Sequence, residues 1–456
     1  VSGDRLAGLS ECGSGLAYRD LNGNSWKCDT LCCVDLFDIS NPAAPKLLAE
    51  LGQDGRALSS RLLDGRLYVV SNRWVYSYDE NEPNTYVPAV YRDDVAELLP
   101  AERIWVCGSG SSQYVIVSSI DLEKAERMDT QSVLGSGDEL YMSRSSLYVM
   151  NSMWESVQTG ERYESVYHVT SYCDGYHTSI YRFDLSDGLT LAASAKVPGA
   201  LDDQFSVDES KDTFRIVTTS SDSVYEVFVD EAYGFTNYRR KDAVRSTGLY
   251  VLDLDLKPLG SVDNLAPGEQ IYSARFDGDV AYFTTFRTVD PLFTVDLSVP
   301  TEPTVLHALK ISGFSEYLHP WGENRLFGFG READENTGWA QGLKLVMFNT
   351  EDKSDVTVEN TLNLTETWSE ALDDHRAFFI SADQNIIGFL AGNAYHVFSY
   401  DAEDGFVELC SFDFDGGWEV RGLYVGDWAY VVGRNQMQVL DRTAWGKPTE
   451  LVYEQR

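Results

Sequence analysis

The sequence predicts an all-β fold, and three observations support that prediction. Aromatic residues are abundant, with 26 Tyr, 21 Phe and 10 Trp among 456 residues, and such side chains are favoured on pleated, half-buried surfaces. Short apolar runs bounded by turn residues recur along the whole chain. Helical periodicity is weak, and only residues 92–102 suggest a short helix within a loop.

The first recurrent element is a turn pair followed by an apolar strand. Its eight copies are GDRLAGLS (3–10), DGRLYVVS (64–71), RSSLYVMN (144–151), KDTFRIVTT (211–219), DGDVAYFTTF (277–286), GENRLFGFG (322–330), DQNIIGFLA (383–391) and VGDWAYVVG (425–433). A repeat of this kind indicates a modular architecture, in which each module buries its faces against its neighbours.

The second recurrent element is an alternating strand that ends in an acidic or amide residue. Its eight final residues are Asp38, Asp121, Asp184, Asp253, Asp296, Asn349, Asp401 and Asp441. Asp and Asn side chains accept hydrogen bonds from the backbone that follows them, which favours a reversal of the chain. In several copies a proline turn and a further strand come next, as in 299–309, and proline marks where a strand ends.

Together these elements predict four-stranded antiparallel meanders repeated around an axis, which is a β-propeller. Eight copies favour eight blades, with seven as the alternative. We expect a single propeller domain over residues 1–456, with a first blade that is incomplete at the N-terminus. Four polar insertions interrupt the spacing, near residues 11–30, 74–111, 152–178 and 221–247. Such insertions are expected to form loops at the rims, where binding sites are common.

The charge of the chain limits its partners. The formal net charge is −36, and a field of that sign repels phosphate backbones and anionic headgroups, so we expect no nucleic-acid partner. Cationic partners or Ca²⁺ suit the charge better, although a solvated acidic surface or a halophilic source would also explain it. No apolar run reaches the length of about 18 residues that a membrane helix needs, so we expect no integral membrane segment. We also expect the protein to be a monomer.

The chain opens with VSGDRLAGLS and has seven cysteines. We interpret that opening as a fragment or a processed form from which a targeting segment has been removed. Cys12 and Cys28 bracket a polar loop, and they either form a disulfide or remain free thiols. A secreted or cell-envelope location is therefore expected.

Residues 274–332 resemble a family of bacterial and archaeal secreted proteins with a C-terminal β-propeller domain, distantly related to WD-repeat propellers. The matching motifs are Thr285, Phe286, residues 290–293, residues 296–298, Pro300, Pro303 and residues 315–320, and further stretches match at 195–219 and 374–381. The resemblance covers most of residues 31–456. It implies a propeller outside the cytoplasm and implies no chemistry.

One short run predicts a cation site. Asp20, Asn22 and Asn24 alternate around a glycine, and oxygen ligands at that spacing can bind Ca²⁺. An ordinary Asx turn is the alternative, because the run has no closing bidentate glutamate.

A catalytic hypothesis centres on two histidines. His319 and His375 adjoin polar residues, and with Asp290, Arg331 and Glu332 they could converge at the mouth of the channel. Such a group can bind a metal or act as acid and base in a hydrolase or lyase. The alternative is that each of these residues bonds neighbouring strands in a purely structural role.

The Tyr-rich insertions predict binding. Tyrosine gives a large contact area at a low entropic cost. The candidate binding residues are Tyr76, Tyr78, Tyr86, Tyr91, Tyr163, Tyr172 and Tyr176. We therefore expect an extracytoplasmic binding or scaffolding propeller that recognises a protein or a glycan, with the enzyme as the alternative and no cofactor other than Ca²⁺.

Overall fold

The computed structural model describes most of the chain. The described ranges are 1–13, 17–23, 25–27, 30–106, 112–135, 137, 139–186, 188–230, 232–286, 290–311, 313–333, 340–415 and 417–452. The chain forms two compact units. The first comprises residues 1–154, 177–197 and 254–257, and the second comprises residues 155–176, 198–253 and 258–456.

Thirteen strands lie wholly in the first unit in the described part of the chain. They are β1 (Arg5–Cys12), β2 (Ala17–Asp20), β3 (Ser25–Lys27), β4 (Leu31–Asp38), β5 (Lys46–Asp54), β6 (Arg56–Leu63), β7 (Arg66–Trp74), β8 (Ala89–Arg92), β9 (Val95–Leu98), β10 (Ile104–Val106), β11 (Gln113–Asp121), β12 (Glu126–Leu134) and β13 (Glu139–Met142). Short 3-10 helices cover Pro83–Thr85 and Ala101–Arg103. The division between the units falls within β14 (Ser146–Glu164), β15 (Tyr167–Asp184) and β16 (Thr190–Pro198).

The sheets of the first unit are antiparallel meanders with additions. One has the order β1-β4-β5-β8-β9-β2-β3, and the next has the order β10-β12-β11-β7-β6. A third is formed by β13, β14, β15 and β16. Apolar side chains of β4 and β5 pack against those of β7 and β11, and the other face of the β7–β11–β12 sheet packs against β14 and β15. Each sheet of this unit therefore buries a face against the next one.

The remaining strands belong to the second unit. They are β17 (Val207–Ser210), β18 (Thr213–Asp230), β19 (Thr236–Asp253), β20 (Pro258–Leu265), β21 (Gln270–Asp277), β22 (Val280–Phe286), β23 (Asp290–Asp296), β24 (Thr304–Ile311), β25 (Phe314–Pro320), β26 (Arg325–Ala333), β27 (Ala340–Asn349), β28 (Thr357–Asn363), β29 (Phe379–Ser381), β30 (Ile386–Ala391), β31 (Ala394–Asp401), β32 (Gly405–Asp413), β33 (Arg421–Val425), β34 (Trp428–Val432), β35 (Gln436–Asp441) and β36 (Thr449–Val452). Three 3-10 helices cover Gln204–Ser206, Glu370–Leu372 and His375–Ala377.

The second unit contains a succession of four-stranded meanders. β17 to β20 pair in order, as do β21–β24, β25–β28, β29–β32 and β33–β36. Apolar clusters join each meander to the next, the largest of them between the β25–β28 and β29–β32 sheets. One thin sheet cannot bury both of its faces alone, so this face-to-face packing is the source of stability. The expectations of eight blades and of one domain over residues 1–456 stay predictions.

The predicted strand pairs are confirmed. All eight copies of the first element form strands, and the second-element strands end at the eight predicted residues. At seven of those ends the side-chain oxygen accepts the backbone N–H two residues later, as at Asp296, where the distance to the N–H of Ser298 is 2.9 Å. These Asx turns reverse the chain with local interactions only.

Two predicted features differ in the structure. Residues 92–102 do not form the expected helix, because Asp93, with φ of +52°, makes a tight turn that pairs β9 with β8. Most of the insertions at 152–178 and 221–247 are strands and not loops, because their side chains alternate well enough to extend the ladders of β14–β15 and β18–β19.

These two long hairpins pair with each other within the second unit. Residues 167–174 of β15 pair with residues 223–230 of β18. The result is a four-stranded extension made of residues 155–164, 167–176, 220–230 and 236–247, which we call the hairpin sheet.

Candidate functional site

A cleft of about 840 Å³ lies in the first unit, beside the ends of β5 and β7. We call it the aromatic cleft. Its lining residues are Trp26, Thr30, Asp54, Gly55, Arg56, Asn72, Arg73, Trp74, Tyr76, Ser77, Glu82, Asn84, Thr85 and Tyr91. The volume lies in the range of sites that hold small molecules.

The floor of the cleft is organised around a buried carboxylate. Asp54 is 6% exposed, and its Oδ2 lies 2.9 Å from Nη1 of Arg73 and accepts the backbone N–H of Ala89 at 2.8 Å. The hydroxyl of Tyr91 donates to Oδ1 at 2.6 Å. Trp26 Nε1 in turn donates to the Tyr91 hydroxyl at 3.2 Å. One carboxylate thus links β5, β7 and β8.

Arg73 fastens the loop that forms one wall. Its guanidinium donates to the carbonyl oxygens of Val87 at 2.5 Å and of Asn84 at 2.8 Å. Within that loop the Thr85 hydroxyl donates to the carbonyl of Glu82 at 2.7 Å and accepts the backbone N–H of Asp79 at 2.9 Å. The wall is therefore held by hydrogen bonds and is preorganised.

Gly55 allows the tight turn between β5 and β6 at the cleft. Its φ is +93°, a conformation that L side chains rarely adopt. A Cβ atom there would lie 2.3 Å from the carbonyl oxygen of Asn72. Only glycine can bring the two backbones this close.

The exposed wall is aromatic. Trp74 is 52% exposed and Tyr76 is 89% exposed, and their rings stack with centroids 6.4 Å apart at an interplanar angle of 21°. Trp26 is half-buried and also lines the cleft. Exposed aromatic rings that are already stacked offer apolar area with little remaining conformational entropy to lose.

Polar groups of three kinds surround these rings. Asn72 donates from Nδ2 to the carbonyl of Gly137 at 2.8 Å, while its buried Oδ1 has no hydrogen-bond partner among the described residues. Arg56 and Glu82 add one exposed cation and one exposed anion. A buried acceptor without a partner is costly to stability, whereas Arg56 and Glu82 are open to a ligand.

The predicted binding residues of the 74–111 insertion take different positions. Tyr76 and Tyr91 line the aromatic cleft. Tyr91 is 2% exposed and its hydroxyl bonds Asp54, so it acts as a structural residue of the floor. Tyr78 and Tyr86 pack edge to face with each other, with centroids 6.1 Å apart, and are not among the lining residues.

The other three predicted binding tyrosines belong to the hairpin sheet of the second unit. Tyr163 stacks on His168 at 4.9 Å, and Tyr172 stacks on Tyr225 at 5.4 Å. Tyr176 is 38% exposed at the base of the hairpin. None of these three tyrosines is among the residues that line the aromatic cleft.

The opposite face of the hairpin sheet is ionic. The Glu226 side chain is fully buried, and its Oε1 lies 2.6 Å from both Arg162 and Lys241. These two hydrogen bonds lower the pKa of Glu226 to about 2. This ion-pair cluster joins the two hairpins together with the buried apolar pair Val169 and Phe228 on the same face.

Sequence reasoning missed most of the cleft. Trp26, Trp74 and Asn72 were not candidates, although Trp74 and Tyr76 are two residues apart and therefore face the same side of an extended segment. That spacing was a usable signal. No signal in the sequence connects Trp26 with them, because a long-range strand pairing brings it to the cleft.

The predicted cation site is only partly visible. The backbone N–H of Asn22 donates to Oδ1 of Asp20 at 2.8 Å, which is an Asx turn. Asn24 lies outside the described residues. In the part of the chain that the structure describes, no group of three His, Cys, Asp or Glu side chains is placed to hold a metal ion. Calcium binding stays a prediction.

The two predicted catalytic histidines are linked through Tyr317 and Phe205 in one cluster of the second unit. Nδ1 of His319 lies 2.9 Å from the Tyr317 hydroxyl, and the Arg275 guanidinium donates to the same nitrogen at 3.2 Å. The ring of Phe205 packs edge to face on His375 at 4.8 Å and on Tyr317 at 5.8 Å. Burial, with a smaller effect of Arg275, lowers the pKa of His319 to about 4.

The other members of the catalytic hypothesis have partners of their own. Arg331 Nε lies 3.3 Å from Glu316, and Glu332 lies 2.9 Å from the Lys344 ammonium. The side chain of Asp290 lies outside the described part of the chain. Sequence reasoning did not consider Asp203, a carboxyl next to the histidine cluster that interacts electrostatically with Arg275 and Tyr317. Asp203 caps the 3-10 helix that carries Phe205, and burial raises the pKa of Asp203.

The histidine cluster gives a pH prediction. The ordinary pKa of His319 is 6.5, and between 6.5 and 4 the unfolded chain binds a proton that the folded chain excludes. Stability is therefore expected to fall by ~3 kcal/mol as the pH drops through this interval. Urea unfolding of the protein and of His319→Gln at several pH values measures the slope. An unchanged slope in the variant would show that other groups cause the loss.

The packed four-stranded meanders are the kind of module that builds a β-propeller, a fold that supports a binding or scaffolding role in general. The chain belongs to the beta propeller domain family, whose model matches residues 17–443.

Two relatives are archaeal proteins described as uncharacterised. The one from Archaeoglobus fulgidus is 35% identical over 274 residues, which cover 60% of this chain and 38% of the relative. The one from Methanocaldococcus jannaschii is 26% identical over an alignment of 523 positions, which covers 98% of this chain and 76% of the relative. The chain thus spans well under half of the Archaeoglobus protein.

Among solved structures, the chain is similar to Sqt1 of Saccharomyces cerevisiae, with 10% sequence identity and a TM-score of 0.42. The match covers 89% of this chain and 90% of Sqt1. Such a score supports no functional comparison. None of the helices in the described ranges has the length and apolar composition of a membrane span.

Proposed function

We propose that this protein is an extracytoplasmic binding propeller that recognises a glycan in the aromatic cleft. One observation carries the proposal. The stacked, exposed rings of Trp74 and Tyr76 stand beside a fixed polar floor in a cleft of about 840 Å³.

The chemistry of a sugar fits this arrangement. A pyranose ring has an apolar face of C–H groups, which pack on an indole or a phenol ring, and a rim of hydroxyls. Those hydroxyls both donate and accept, so they can bond with the exposed side chains of Arg56 and Glu82. A purely apolar ligand would leave these polar groups without partners.

The preorganised floor favours binding. Asp54 and Arg73 hold the wall in place without a ligand, so little entropy is lost when one binds. The net charge of −36 disfavours nucleic acids and anionic surfaces as partners. Within this proposal the protein is monomeric, is secreted or attached to the cell envelope, and works without a catalytic group.

Binding of soluble polysaccharides tests the proposal. A panel of neutral polysaccharides is titrated by calorimetry against the protein, Trp74→Ala and Tyr76→Ala. We expect at least one polysaccharide to bind and each variant to weaken it by about tenfold or more, because an aromatic anchor contributes roughly 1.5 kcal/mol or more.

Trp428→Ala provides the matched control. Trp428 is 50% exposed, close to the 52% of Trp74, and it lies on β34 in the second unit. Its replacement is expected to leave binding unchanged. The proposal is overturned if no polysaccharide binds, or if Trp428→Ala weakens binding as much as the cleft variants do. Binding of a cationic peptide at the cleft instead would identify a protein ligand and would also overturn it.

A further inference from the structure

Two cysteines of the first unit bring their sulfur atoms together. Sγ of Cys33 lies 2.8 Å from Sγ of Cys12. They lie on neighbouring antiparallel strands, with Cys12 opposite Leu31 in β4 and Cys33 opposite Ser10 in β1. Both side chains therefore project from the same face of the sheet. A disulfide bond is about 2.05 Å long, so the sulfur atoms need to approach by only about 0.75 Å.

The other thiols are placed differently. Cys32 is adjacent in sequence but projects from the opposite face, where it packs with Val34 and Leu36. Cys173 lies in β15 and Cys410 in β32, in the second unit. Cys28 and Cys107 lie outside the described residues. Among the described cysteines, Cys12 and Cys33 thus form the one pair in contact.

The pair is part of the apolar cluster beneath the aromatic cleft. The buried members of that cluster are Leu31, Ala89, Tyr91 and Ala96, and Cys12, Cys33, Tyr18, Trp26 and Leu98 pack against them. Leu31, which lies opposite Cys12 in β1, pairs on its other side with Asp54 of β5, the carboxylate of the cleft floor. The thiols are therefore positioned to act on the cleft through Trp26 and Tyr91.

We propose that Cys12 and Cys33 form a disulfide that fixes the cleft wall carrying Trp26. The two thiols react with a protein or small-molecule disulfide by thiol–disulfide exchange. One Cys thiolate attacks the oxidant and forms a mixed disulfide, and the second thiolate then displaces it. The two cysteines lose two protons and two electrons, and the oxidant is reduced to two thiols.

The bond closes a loop formed by residues 13–32, and Trp26 lies within that loop. Closing the loop removes conformations in which Trp26 leaves the cleft, so oxidation is expected to preorganise the site. The disulfide itself does not depend on the proposed function; only its effect on ligand affinity rests on that proposal.

The environment of the two thiols determines how fast the disulfide forms. Burial and the hydrogen bond with Cys12 raise the pKa of Cys33. Thiolate is the reactive species, so spontaneous oxidation is slow at neutral pH and accelerates as the pH rises. A catalysed exchange is therefore the efficient route.

To test the proposal, the full chain is incubated with oxidised glutathione at alkaline pH, where the thiolates form. Its tryptic peptides are then analysed by mass spectrometry under non-reducing conditions. Trypsin places Cys12 in residues 6–19 and Cys33 in residues 28–46, which also contain Cys28 and Cys32. Cys12→Ser and Cys33→Ser are expected to abolish the cross-link between these peptides. Cys28→Ser and Cys32→Ser, the matched controls, are expected to keep it, with an intact mass about 2 Da below that of the reduced protein.

The outcomes separate the alternatives. A cross-link that is lost in Cys28→Ser and kept in Cys33→Ser would overturn the proposal, as would free thiols at Cys12 and Cys33 after oxidation. Polysaccharide affinity of the oxidised and reduced protein is a second measurement, with several-fold tighter binding expected after oxidation. Equal affinity with the cross-link present would reject only the effect on the cleft. An absence of any polysaccharide binding would reject the proposed function and leave the disulfide standing.

Discussion

Replacing Asp54 by alanine is expected to lower the free energy of unfolding of the first unit by about 3–5 kcal/mol, the usual cost of removing one partner from a buried ion pair. The change leaves the Arg73 guanidinium, which is only 15% exposed, without its carboxylate. It also removes the acceptor of the Ala89 N–H and of the Tyr91 hydroxyl. Urea unfolding followed by tryptophan fluorescence measures the effect.

Asp129→Ala is the matched control for Asp54→Ala. Asp129 also pairs with an arginine in the first unit, Arg103, at 3.0 Å, but that arginine is 42% exposed. Exposed pairs contribute little, so a loss below about 1 kcal/mol is expected. If the two variants lose equal stability, Asp54 is not the organising group of the cleft floor. Asp54→Ala is also expected to abolish polysaccharide binding, because the wall held by Arg73 is released.

Replacing Phe329 by alanine is expected to destabilise the second unit by about 3–5 kcal/mol, the range for large-to-small changes at buried phenylalanines. Phe329 has no exposed surface, and its ring packs on Phe378 at 5.0 Å and on Phe389 at 4.8 Å. Phe389 lies on β30 and Phe378 directly precedes β29, so the cavity opens between two neighbouring sheets. Calorimetric unfolding measures the loss.

Two further variants separate cavity formation from the loss of an aromatic residue. Phe329→Leu keeps most of the volume and is expected to cost less than the alanine variant. Phe235→Ala removes a ring that is 68% exposed in the same unit, and its effect is expected to stay within about 0.5 kcal/mol. A small effect of Phe329→Ala would contradict the view that packing between meanders stabilises this unit.

The fold was predictable where its signals are local. Each Asx turn needs only a residue such as Asp296 and the backbone two residues on, so strand ends can be located from sequence alone. The helix expected over 92–102 failed because Asp93 adopts a positive φ and returns the chain as a strand. Composition alone does not distinguish these two outcomes.

The cleft was predictable only in part. Tyr76 was found because it lies in a long polar insertion. Trp26 was missed, since its place depends on a hydrogen bond to a residue 65 positions away, Tyr91. Asp54 looked like an ordinary acidic residue at the end of a strand, because its burial comes from the loop that Arg73 fastens over it.

The hairpin sheet shows how this architecture tolerates insertions. β18 and β19 pair as one ladder from Thr213 with Asp253 to Val229 with Thr236, with a single register shift at Val224 and Tyr225. The part of this ladder that lies in the hairpin sheet thus continues the hydrogen bonding of the part nearer the core. Because side chains alternate with a period of two, adding or deleting two residues on each strand keeps every inward side chain facing inward. Such a hairpin can change its reach in even steps during evolution while the core stays the same.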